Sequence, residues 1–161
     1  MTGIETGDIQ PSAAYVQRHD IGFVRTKIGA RALTFTLFFS DGMRLEVAIF
    51  AKRKDVNRAM QVHCRTKKEV EAFFSSPEGD VGYLGFSRQH LDDVTVVHEM
   101  IHATTWWMLR HQYTPAQISE VLSHKKRSAH EIFADEVGEM VQQFWQCYSI
   151  YYRRKRPWEP K

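Results

Sequence analysis

The chain has 161 residues, 43% of them hydrophobic and 25% charged, which fits a single globular domain able to bury a sizeable core. No run approaches the ~18 apolar residues of a membrane span, and the formal net charge of +3 is mild. The two cysteines, Cys64 and Cys147, stand far apart and outside any CxxC pair, so they read as reduced thiols and not as a disulfide framework or a thiolate metal site.

The opening residues, "MTGIETGDIQPSAAY", lack a basic start followed by an apolar stretch, so no signal peptide is expected and the cytoplasm is the default compartment. Residues 1–19 show no periodicity and read as a loose leader. "IGFVRTKI" (21–28) and "ALTFTLFFS" (32–40) are rich in β-branched and aromatic residues. Asp41-Gly42 is a hairpin signal, and "MRLEVAIF" (43–50) alternates behind it, giving two or three antiparallel strands. "DVNRAMQVHC" is ambiguous. Thr66 followed by Glu69 forms a capping box that predicts a short helix over "TKKEVEAFF". "SPEGD" is a turn, and "VGYLGFS" (81–87) is a strand whose two glycines suggest a sheet edge. Three helices follow: 91–110, one opened by Thr114-Pro115 in "TPAQISEVL", and one over "SAHEIFADEVGEMVQQFWQCYSIYY". Strands first and helices second predict an α+β fold, with a single domain over 20–152 and a basic tail over 153–161.

The chemistry concentrates in "DDVTVVHEMIHATTWWMLR", residues 92–110. Apolar side chains cover almost the whole helical wheel there, which predicts a buried helix. One narrow stripe is polar: Thr95, His98, Glu99, His102 and Thr105. Burying two imidazoles and a carboxylate is costly unless they are paired or bound to an ion. Histidines at i and i+4 project from one face, so His98 and His102 can reach a single zinc ion, while Glu99 lies to the side, free to act as a base.

A catalytic zinc has three protein ligands and an open position. The metzincin continuation is absent, because Thr105 and Met108 occupy the places of its Gly and His. The candidates for the third ligand are His111, His124, His130, Glu131, Asp135, Glu136 and Glu139. His111 lies too far along the same helix, and His124 sits in the basic stretch "SHKKRS". Glu131 is the better choice: it shares a helix face with Asp135, which could orient a ligand histidine through its free ring nitrogen. Ser128 also makes a capping box with Glu131, a competing role for that carboxylate.

H-E-M-I-H followed by E-I-F-A-D resembles the gluzincin pattern of HExxH with a glutamate ligand on a downstream helix. The short spacing, 28 residues between His102 and Glu131, is similar to that of compact minimal gluzincins, including ImmA/IrrE-like peptidases and small phage-encoded metallopeptidases. The resemblance covers about residues 90–145 and implies a zincin-like fold, zinc held by His98, His102 and Glu131, Asp135 behind a ligand, and hydrolysis of peptides (in the host cytoplasm for a phage protein). His130 stands where the aminopeptidase members have Asn, so their recognition of the substrate amine does not carry over. "HEMIHATTWW" also resembles the SprT/Spartan-like proteases, which use a third histidine and act on DNA–protein crosslinks, although neither His124 nor His130 precedes the glycine usual there.

In such a site zinc acidifies a water, Glu99 takes its proton, and a donor stabilises the oxyanion. Tyr83, Tyr113, His111 and His124 are candidate donors, and "GYLGFS" is a candidate edge for β-addition of an extended substrate. Two other functions compete: an interaction protein stabilised by zinc without catalysis, and a nucleic-acid-binding module using Arg153, Arg154, Lys155 and Arg156. Membrane association is not expected.

Overall fold

Alternation of apolar and polar residues builds the first strands, as the sequence suggests. The computed structural model describes residues 21–66, 68–76, 81–111 and 127–155. Strands β1 (Gly22–Arg25), β2 (Arg31–Phe38) and β3 (Arg44–Phe50) form an antiparallel meander. Leu33, Phe35 and Leu37 of β2 and Leu45, Val47 and Ile49 of β3 share one face, buried in the main core. The turn between β2 and β3 needs its glycine: Gly42 has φ +93°, and the Phe39 N–H donates to the Met43 carbonyl at 2.9 Å across it.

The ambiguous stretch after β3 is a helix, α1 (Arg53–Cys64). Its buried Val56 and Ala59 pack over Ala32, Ala48, Phe50 and Phe73 on the second face of the sheet. Strands β4 (Ala72–Ser75) and β5 (Val81–Ser87) follow. The sheet order is β1-β2-β3-β5-β4, with β5 parallel to β3 and β4 antiparallel to β5.

Two expectations fail here. Residues 66 and 68–71 form no helix and 72–75 are a strand. Tertiary bonds win over the capping box: the Val70 N–H donates to Asn57 Oδ1 at 2.7 Å, and the Ser87 N–H to the Glu71 carbonyl at 2.9 Å. In addition, β5 lies inside the sheet and β4 forms its edge. The glycines of β5 serve ring packing. A Cβ at Gly85 would stand 2.4 Å from Phe73 Cε1, and one at Gly82 would stand 2.9 Å from Leu45 Cδ1 and 3.1 Å from Trp106 Cζ3. Gly85→Ala must therefore displace a buried ring. It should cost about 1–3 kcal/mol and lower the melting temperature by roughly 2–4 °C per kcal/mol; a thermal melt with unchanged midpoint would refute this packing.

Helices α2 (Asp93–Arg110) and α3 (Arg127–Lys155) cover the main-core face. Met140, Phe144, Cys147 and Tyr151 of α3 fall at helical spacing on its buried side. Phe144 meets Phe35 and Phe86 edge-on, at 5.4 and 5.2 Å between ring centroids. The buried Gln143 satisfies the end of β2, accepting from the Phe38 N–H at 3.0 Å and donating to its carbonyl at 2.9 Å. The architecture is α+β, and among the described residues no helix is long and apolar enough to cross a membrane. The leader, the turn at 77–80, the helix expected from Thr114 and the end of the basic tail lie outside the described residues; α3 itself runs to Lys155.

Candidate metal centre

Asp92 starts α2 as its N-cap, accepting from the Thr95 N–H at 2.8 Å. That anchor fixes which residues of the next turns face the sheet. Val96, Met100, Ala103 and Trp107 point into the core. The helix is not buried all round: Val94 is 78% exposed, Ile101 40% and Leu109 46%. His98 and His102 are exposed as well, whereas Glu99 is buried. The expectation of a wholly buried helix is thus corrected: α2 lies on the sheet with one side covered and the histidines on the open side.

The two imidazoles face each other, with Nε2 of His98 and Nε2 of His102 3.3 Å apart and ring centroids 4.8 Å apart at 77°. Zinc–nitrogen bonds of 2.0–2.1 Å at a tetrahedral angle hold two nitrogens roughly 3.3–3.4 Å apart. The pair therefore already has the spacing of two ligands to one ion. Partial burial, and then the charge of His98, hold His102 below the ordinary imidazole range, which favours the neutral, ligating form. Burial pushes the Glu99 carboxyl above its ordinary value, with the charge of His98 acting against that shift. Among the described residues Glu99 has no hydrogen-bond partner. It lines a cavity of about 420 Å³ together with His98, Thr95, Val94, Arg53, Glu71 and the first residue of β4, Ala72.

The other residues expected at the site lie elsewhere. Glu131 and Asp135 are exposed on α3. Asp135 lines a separate cavity with Ser40, Trp107, His111, Ile132 and Glu136, at the C-terminal end of α2. Glu136 is the buried carboxylate of that helix and accepts from the Ser40 N–H at 3.3 Å. Among the described residues no group of three His, Cys, Asp or Glu side chains converges, so the structure joins His98 to His102 but does not join Glu131 to them. Tyr83 lies on the α1 face of the sheet, stacked on His63 at 3.9 Å and facing away from α2. Tyr113 and His124 lie outside the described residues.

His111 ends α2 in a different role. Its Nε2 is 2.6 Å from Asp41 Oδ2, while Asp41 Oδ1 accepts from the Trp107 indole at 3.1 Å and the Met43 N–H at 3.0 Å. The hairpin aspartate thus ties the β2–β3 turn to the helix that carries the histidines. Burial raises the Asp41 carboxyl, but the bonds from Met43, Trp107 and His111 and the charge of His111 outweigh it, and the group sits below its ordinary value. A depressed carboxylate adds stability above its unfolded pKa, and that stability is lost as pH falls through the folded pKa. Asp41→Asn should therefore cost about 1–2 kcal/mol at neutral pH. It should also flatten the fall of melting temperature below about pH 4; parallel acid curves for variant and parent would contradict the tie.

Arg53 and Glu71, which share the cavity with Glu99, carried no signal in the sequence, because only the folding of residues 68–71 against α1 and β5 brings them there. No protein-family model, curated protein or solved structure matches the chain.

Proposed function

We propose that this chain is a zinc-dependent peptidase of the minimal gluzincin type. The observation that carries the reading is the His98–His102 pair, with its nitrogens 3.3 Å apart beside a buried Glu99 that opens on a cavity and has no hydrogen-bond partner among the described residues. His98 and His102 would hold the zinc with Glu131 as the third ligand, the last on the strength of the E-I-F-A-D resemblance, with Asp135 behind a ligand. When bound, zinc supplies a Lewis acid and brings the acidity of a water into the neutral range.

The chain's own groups do the rest. Glu99 has a raised carboxyl, suited to take a proton from the attacking water near neutral pH and return it to the leaving amine. The edge strand β4 starts at the wall of the same cavity and takes over the substrate role expected of β5. An extended peptide adding there would lie along the open side of α2. Cleavage of an unfolded protein or peptide mixture, measured as new amino groups with and without a chelator, tests the activity. Chelator-sensitive release is expected; hydrolysis indifferent to chelation, or none by the zinc-loaded protein, opposes the peptidase reading.

A further inference from the structure

Helix α1 covers only part of its face of the sheet. Past Ala32, Ala48 and Phe50 the small and apolar floor gives way to polar side chains, because the same alternation brings Thr34 and Thr36 of β2, Glu46 of β3 and Tyr83 of β5 to that face. Thr36 pairs with Glu46 and Glu46 with Tyr83, so a hydroxyl, a carboxylate and a phenol stand in one row across three strands. The β1–β2 turn and the end of α1 wall the row in, enclosing a cavity of about 400 Å³ lined also by Lys27 and His63.

Three donors line this cavity beside the one carboxylate of Glu46. The Lys27 ammonium, the His63 ring and the Tyr83 hydroxyl have no hydrogen-bond or ion-pair partner among the described residues. They are close enough to influence one another. His63 lies flat on the Tyr83 ring, at 3.9 Å and 12°, and is held below the ordinary imidazole range by burial and then by the charge of Lys27. Burial, followed by the charge of Glu46, pushes the Tyr83 phenol up to about 12, so its proton stays available for donation. A half-enclosed cavity with a few converging polar groups is the usual form of a small-molecule site. A lysine, a histidine and a tyrosine lining one space can offer an ammonium, an N–H and an O–H to an oxyanion. Glu46, beside Tyr83 on the floor, complements a donor on the same ligand.

The geometry points to a binding site for a small oxyanion, held by Lys27, His63 and Tyr83 on the face of the sheet opposite His98 and His102, with a ligand N–H or O–H directed at Glu46. The oxyanion is the carboxylate of a dipeptide-sized molecule or a phosphate, and the site stands independently of the peptidase reading. The test follows the aromatic proton signals of His63 and Tyr83 while alanyl-alanine, its C-terminal amide, its N-acetyl form or inorganic phosphate is added to the full chain. Binding should move both signals and raise the titration midpoint of His63, because an anion then offsets the Lys27 charge. Lys27→Met and Tyr83→Phe should each weaken binding about tenfold or more, with their melting curves checking the fold. Loss of affinity in the amide identifies the carboxylate as the source, and Glu46→Gln should then weaken the dipeptide but not its N-acetyl form. A response to phosphate alone identifies the other source. Binding must survive His98→Ala, which separates it from ligation at the histidine pair. No response to either anion at millimolar concentration overturns the proposal, as does affinity unchanged in Lys27→Met or lost in His98→Ala.

Discussion

If the proposed zinc-peptidase reading holds, Glu99→Gln should keep its metal and lose turnover by about 10²–10⁴-fold, the range that general acid–base catalysis contributes. The substitution is close to isosteric and leaves both imidazoles untouched, so the 3.3 Å pair persists. What disappears is the capacity to accept a proton. Glu99 makes no hydrogen bond that the amide would break among the described residues, so the loss should appear in kcat and not in stability. Burial already disfavours the charged carboxylate here, and the neutral amide should be tolerated or slightly stabilising. Below the raised pKa of Glu99 the base is protonated, so activity of the parent should fall as pH drops through that value, on the acid limb of the rate profile. Equal rates in parent and variant would remove Glu99 from the chemistry and favour a zinc site that serves only structure.

His98→Ala is expected to abolish zinc binding and activity together while leaving the fold intact. One imidazole cannot hold the ion at the affinity of a chelating pair, and without the ion a water's pKa returns from about 7 towards about 15.7. The fold should survive because His98 is on the open side of α2, and the residues that bury this helix are Val96, Met100, Ala103 and Trp107. Melting temperatures of the metal-free parent and His98→Ala should therefore agree closely. Unfolding of the parent on chelation would reverse this and identify zinc as a folding element, the behaviour of a non-catalytic zinc-stabilised protein.

Local patterns that report on one element at a time were legible in the sequence. The alternation of β2 and β3, the Asp41-Gly42 turn and a helix expected over 91–110 (observed over 93–110) follow from strand period, glycine's conformational freedom and helical periodicity. Features set by long-range pairing were not. The position of β5 depends on its parallel pairing with β3 and its contact with β4, and neither leaves a mark in "VGYLGFS". Its glycines suggested an edge, yet they make room for Phe73, Leu45 and Trp106. The capping box at Thr66–Glu69 was a valid local signal, outweighed by a bond donated to Asn57 and one accepted from Ser87, both more than ten residues away in the chain.

The candidate site divides along the same line. His98, Glu99 and His102 lie on one helix, so their mutual placement is a matter of helical geometry and could be read directly. Glu131 depends on how α3 meets α2, which the sequence does not encode locally. A signal in α3 was available, however: Glu136 and Gln143 fall on the apolar stripe with Met140, Phe144 and Cys147, and both are buried against the β2 end of the sheet. Polar residues on an apolar stripe mark places where a backbone must be satisfied. Asp41 carried no such mark, because its role as hairpin residue hid its second role as the partner of His111 and Trp107.

The measurement that bears most directly on the central claim is the zinc content of the purified chain beside His98→Ala and Glu131→Ala. About one zinc per chain is expected in the parent, with loss of the metal in both variants. Zinc retained in Glu131→Ala alone would move the third ligand to His124 or His130 and leave the His98–His102 pair standing. A parent that binds no zinc when supplied with it, or His98→Ala that binds as much as the parent, would contradict the account.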